Sequence, residues 1–186
     1  MKSRIFLLAL FWVFFVSLGF ISCYKGPLVK ANINEGVKDN KFAMDPLIAI
    51  PGLSFIASFD VYMNVDSLIK ANNASLAAEY ITSVKFLSCV MKMEDGDGFN
   101  NFSSFQYCKV ELASDNKPEF VTIGEINNNP DVEAYTLDFP VNQNVNLKDY
   151  FKATHFTYRL TGVVRKPTLK RINCSADIRV NIQASY

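Results

Sequence analysis

The chain has 186 residues, with 19 basic and 18 acidic side chains, one histidine and four cysteines. This near-neutral balance excludes the basic footprint that nucleic acid or an anionic lipid surface demands. A lone histidine, His155, excludes multi-histidine metal sites, and neither a G-x-S-x-G elbow nor a C-x-x-C pair occurs.

Lys2 and Arg4 precede an apolar run from Ile5 to Val16, the layout of an export signal, read here as residues 1–22. The signal ends in Phe20-Ile21-Ser22-Cys23, which resembles a bacterial lipobox with Phe20 where Leu is usual. The resemblance implies a diacylglycerol on the Cys23 thiol and a further acyl chain such as palmitate, making a membrane the first partner. Two or three chains anchor durably where one binds marginally. Two other readings stay open. Ile5–Ile21 just reaches the lower limit of about 17 residues for an uncleaved anchor, and a soluble secretory signal would leave Cys23 incidental.

Residues 23–52 are expected to be the lipidated cysteine and a tether. Tyr24–Met44 is dotted with Gly, Pro, Asn and Asp and shows no sustained period. Residues 53–186 are expected to form the folded domain, where the dominant period is two. Phe55, Ala57, Phe59, Val61, Met63 and Val65 alternate with Ser54, Ile56, Ser58, Asp60, Tyr62 and Asn64 in a first strand, and Asp66 is expected to cap a short helical turn. Asp66-Ser67-Leu68 resembles a short O-glycosylation pattern, with Ser67 the acceptor. Asn73, Asn101 and Asn173 begin N-x-S sequons that matter only in a eukaryotic source. Tyr80–Met93 carries apolar residues on both faces and is expected to be a central strand. The polar loop Glu94–Phe105 turns the chain back.

Tyr107–Ala113, Phe120–Ile126 and Val132–Phe139 are expected strands, separated by Asp115-Asn116-Lys117-Pro118 and Asn127-Asn128-Asn129-Pro130 turns. A helical turn at Leu147–Phe151, a strand through Phe156, Tyr158 and Leu160, and a last strand from Ile172 to Gln183 complete the pattern. About seven such strands, with no helix long enough for a parallel crossover, predict an all-β antiparallel sandwich; a single closed barrel is the alternative.

Ile81-Thr82-Ser83-Val84-Lys85-Phe86, Asn101-Phe102-Ser103-Ser104-Phe105, Leu147-Lys148-Asp149-Tyr150-Phe151 and the final alternating strand together resemble a group of Bacteroidetes envelope lipoproteins over Leu53–Ala184. That resemblance implies an immunoglobulin-like sandwich and no catalytic residue. Surface-directed members carry acids directly after the cysteine, and here the first is Glu35. The resemblance therefore implies the periplasmic side of the outer membrane.

Cys89 and Cys108 flank the long loop, so a hairpin in register would make them cross-strand neighbours able to form a disulfide. The competing reading, small buried hydrophobes, is favoured because a directly paired geometry is strained. Glu94, Asp95 and Asp97, interleaved with glycine, are calcium candidates by oxygen chemistry, although the EF-hand spacing is absent. Parity puts His155 on a solvated strand face with Thr157 and Arg159. Arg159, Arg165, Lys166, Lys170, Arg171 and Arg179 make the C-terminal quarter basic. No cofactor is expected. The reading is a non-enzymatic, lipid-anchored binding or assembly module whose loops Glu94–Ser104 and Asn142–Asn146 meet a protein or glycan ligand. Its rivals are a glycan-active enzyme whose carboxylates only folding brings together, since Asp131, Glu133, Asp138 and Asp149 show no pairing at strand spacing that suggests a dyad, and a pilin-like or adhesin-like subunit.

Overall fold

The computed structural model describes residues 28–186; the expected signal and Cys23 lie outside the described residues. Eight strands form two antiparallel sheets: β1 (Lys30–Met44), β2 (Ser54–Tyr62), β3 (Ile81–Met93), β4 (Phe105–Ser114), β5 (Lys117–Ile126), β6 (Thr136–Asp138), β7 (His155–Val164) and β8 (Ile172–Ser185). One sheet has the order β1-β8-β3-β6 and the other β2-β7-β4-β5. The chain is thus a single long hairpin with its tip between β4 and β5, pairing β1 with β8, β2 with β7, β3 with β6 and β4 with β5. Rolled up, it gains the β3–β8 and β4–β7 ladders. The expected antiparallel sandwich is what forms. Its eight-strand order is that of a jelly roll, whereas the expectation was about seven strands with immunoglobulin-like connections.

β8 explains why the sandwich holds. Ile172, Cys174, Ala176, Ile178, Val180, Ile182 and Ala184 are all buried, and β8 is flanked by β1 and β3. Burial of each large side chain contributes roughly 1.5–3 kcal/mol. Within one sheet Phe59 stacks on its ladder partner Tyr158 at 5.2 Å, and from the facing sheet Phe86 meets Tyr158, and also Phe151, edge-on.

Three expectations are corrected. The tether assigned to residues 23–52 is in large part β1, which pairs with β8 from Lys30↔Ser185 to Met44↔Ile172. Its period was hidden because one extra residue intrudes between Val37 and Asn40, where Asp39 takes φ +53° and its N–H donates to Asp177. In β2 the extra residue is Ile56, so Phe55 is exposed while Ile56 and Ala57 are both buried. In β3 it is Leu87, which turns the core face from Val84 and Phe86 to Cys89, Met91 and Met93. β3 is interior, as expected, but its two apolar faces come from that change of parity rather than from burial on both sides.

Smaller departures follow. Helix α1 (Val65–Asn72) is capped by Asn64, whose side chain accepts from the Ser67 N–H, while Asp66 pairs with Lys70. Only Thr136–Asp138 of Val132–Phe139 is strand, and the helical turn falls at Tyr150–Lys152. No helix among the described residues is long and apolar enough to cross a membrane.

The roll sorts its connections by end. Segments 45–53, 94–104, 127–135 and 165–171 lie together at one end. Lys30, Ser185, the start of β3 and the β4–β5 turn lie at the other.

Candidate functional site

The loop Glu94–Ser104 crosses from one sheet to the other instead of closing a hairpin. Cys89 and Cys108 therefore sit in different sheets, and both are free and fully buried, which corrects the disulfide candidate. Burial pushes each thiol up to about 12, as it does that of Cys174. These are inert core residues.

The three calcium candidates do not converge. Glu94 accepts from Ser175 Oγ at 2.7 Å and pairs with Lys41 at 3.1 Å. Asp95 takes the backbone N–H and side-chain amide of Asn173. Asp97 accepts from the N–H groups of Phe99 and Asn100 and pairs with Lys170 at 2.9 Å. Lys170 first, then Asn100, hold the Asp97 carboxyl well below the usual range. Each acid is spent on a different partner, so the loop is built as an internally bonded cap. No group of three or more His, Cys, Asp or Glu able to hold a metal occurs among the described residues. Asn101 is sealed inside the same loop, donating to the Asp97 and Gly98 carbonyls, which removes its sequon as an acceptor. Ser67 is exposed in the first turn of α1.

The basic C-terminal quarter is not a patch. Arg165 and Lys166 meet Asp131, Lys170 meets Asp97, Arg171 reaches Asp45 and Arg159 meets Glu111. Of the carboxylates weighed for glycan chemistry, Asp131 is held by Lys166, Glu133 accepts from Tyr135 and Asp149 pairs with Lys152. They point to separate partners.

What sequence reading missed is the outer face of the β2-β7-β4-β5 sheet. His155 lies there, as parity predicts, but it is clasped. Its Nδ1 is 2.9 Å from Asp115 Oδ1 and its Nε2 is 3.2 Å from Asp60 Oδ1, the second contact lying off the line a hydrogen bond needs. The ring stacks on Tyr62 at 4.7 Å. The Asp115 bond, with help from Asp60, raises the imidazole pKa against partial burial. Further along, Glu111 is 5% exposed although it points outward. It is covered by Lys109 at 2.7 Å, Arg159 at 3.0 Å and Thr161, with the Arg159 guanidinium over the Phe120 ring. Burial pushes the Glu111 carboxyl up, but the two cations outweigh it and hold it below its ordinary value. The signal that could have found this pair was period two itself: Glu111 faces Arg159 across the β4–β7 ladder.

The loop Asn142–Asn146 borders a shallow concavity of about 580 Å³ at the β5 edge, lined by Thr122, Gly124, Glu125, Pro140 and Asn142. Val141 bridges to Gly124, and the Asn142 N–H donates to the Ile123 carbonyl, so this segment covers part of the β5 edge.

No family model and no curated protein matches the chain. Among solved structures it is similar to that of infectious bursal disease virus, Gt strain, with a TM-score of 0.35 and 11% identity over 85% of this chain and 33% of the viral one. It is also similar to a Burkholderia pseudomallei antigen and type I fimbria protein, with a TM-score of 0.20 and 11% identity over 83% of this chain and 98% of that one. The chain spans about a third of the viral chain. Likenesses this distant carry no argument about function.

Proposed function

We propose that this is a non-enzymatic, lipid-anchored cell-envelope protein whose sandwich is a binding or assembly module, akin to the Bacteroidetes lipoproteins it resembles. The observation that carries the reading is the sorting of the chain ends. β1 begins at Lys30, at the end opposite the four clustered loops, and Cys23 precedes it by seven positions. A linkage of that length reaches at most about 25 Å, so an acyl anchor on Cys23 holds the body by its terminal end and leaves the loop end outward. The dispersal of the acidic side chains into separate ion pairs supports a non-catalytic role. The late first acid, Glu35, supports the periplasmic side of the outer membrane.

The glycan-active alternative has one foothold, Asp60 and Asp115 on either side of His155. Both carboxylates are more than half exposed, at 52% and 64%, on an open face that does not exclude water. Intact-mass spectrometry of membrane-extracted protein tests the proposal. The expected mass is that of Cys23–Tyr186 plus acyl groups, and Cys23→Ser should release the body from the membrane. An unmodified Cys23 overturns it.

A further inference from the structure

The end of the roll away from Lys30 carries an unusual set of side chains. Ile48 is 71% exposed, Ile50 47%, Leu53 62%, Phe99 78%, Val132 67% and Leu169 69%. They come from all four loops at that end, and segment 165–171 laces those loops together. Thr168 exchanges two hydrogen bonds with Leu47, the Leu169 N–H donates to Asn100 Oδ1, and Lys166 pairs with Asp131. Pro46, Pro51, Pro130 and Pro167 stiffen three of the four segments. The apolar crown is therefore pre-organised, and covering it costs little ordering entropy.

Its size and its rim say what covers it. The six residues, main chain included, expose roughly 700 Å² between them, above the few hundred Å² usual for a monomer and near one partner's share of a standard interface. The rim cations are already spent internally: Lys166 on Asp131, Lys170 on Asp97, and Arg171 near Asp45. An anionic bilayer calls for uncompensated cations. A two-fold pairing instead brings each rim against its own copy, which a one-sign rim forbids and a rim of closed ion pairs permits. We infer that the crown is an isologous dimer face, on which a second copy of this chain docks loop end to loop end. It requires of the anchored reading that the leash from Cys23, up to about 25 Å, let two bodies lie along the membrane with their loop ends together.

Sedimentation velocity over a concentration series tests it, using the chain from residue 23 with Cys23→Ser, which keeps every described residue. The expected result is a reversible dimer that Leu169→Glu or Phe99→Glu weakens tenfold or more, with circular dichroism unchanged because both side chains are exposed; each change enters a two-fold interface twice. A monomer at every concentration overturns the inference, as does a dimer indifferent to both substitutions. Phosphatidylcholine vesicles that float the monomeric protein, and lose it on Leu169→Glu, overturn it in favour of a bilayer.

Discussion

Phe86 and Leu87 are adjacent large apolar residues whose fates the extra residue in β3 separates. Phe86 is fully buried and meets Phe151 and Tyr158 edge-on at 6.2 and 6.5 Å, while Leu87 is 42% exposed. Phe86→Ala removes a ring from the centre of the core and leaves a cavity between two rings, which costs about 4 kcal/mol. Leu87→Ala removes three carbons worth about 0.8 kcal/mol each if fully buried; with much of the side chain already wet and no cavity formed, the cost is about 1 kcal/mol. At a urea dependence of about 2 kcal/mol per molar, the midpoint falls by about 2 M for the first variant and about 0.5 M for the second. Urea titration of both variants alongside the parent checks this. If the two midpoints fall together, the strand keeps one parity through Leu87 and both its faces are buried.

Glu111→Gln should cost about 1–2 kcal/mol by the same titration, since Lys109 and Arg159 keep their charges and can turn partly to solvent. Because the Glu111 carboxyl is held below its ordinary value, its stabilisation is present above the unfolded carboxylate range and is lost as pH falls through the folded value. The variant should therefore show a flatter acid limb. His155 has the opposite sign. Its raised pKa gives stability that is complete below about pH 6.5 and is lost as pH rises through the folded value, so His155→Gln should flatten the melting temperature on that side. Gly162→Ala sets a Cβ against the Tyr107 carbonyl oxygen of the neighbouring strand, which forces the β4–β7 ladder apart and costs about 2 kcal/mol or more. Gly98→Ala meets nothing nearer than 3.8 Å and should stay within about 0.5 kcal/mol of the parent by thermal melting.

Legibility tracked how regular each strand is. β8 was read correctly at its core positions from Ile172 to Ile182 because its own chain carries no inserted residue. β2 and β3 were found, but β2 was misread at Phe55 and Ile56, ahead of a face that Ala57, Phe59 and Val61 keep, and the two apolar faces of β3 come from the residue inserted at Leu87, since one inserted residue exchanges inside for outside and leaves the composition unchanged. β1 was lost altogether: Asn32, Asn34, Asp39 and Asn40 look like loop chemistry, and only pairing with β8 far along the chain makes the segment a strand. The order of strands was illegible for the same reason. A rolled hairpin and an immunoglobulin-like sandwich present the same alternation locally and differ only in which distant strands meet.

The surfaces divide along similar lines. Parity placed His155, Thr157 and Arg159 outward, but Asp115, Asp60 and Glu111 reach them only after the sheet assembles. Once assembled, that polar face satisfies itself, and a ligand would have to break Arg159–Glu111 or His155–Asp115 to bind there. The crown of Ile48, Phe99 and Leu169 has no such internal partner to lose. Covering those apolar side chains on each of two copies frees the water that hydrates them, a gain that grows with the apolar area removed from solvent. Association and imperfect desolvation take back much of that, about 4–15 kcal/mol for lost rigid-body freedom alone. Of the two surfaces, the crown is therefore the one on which contact with a partner is a net gain.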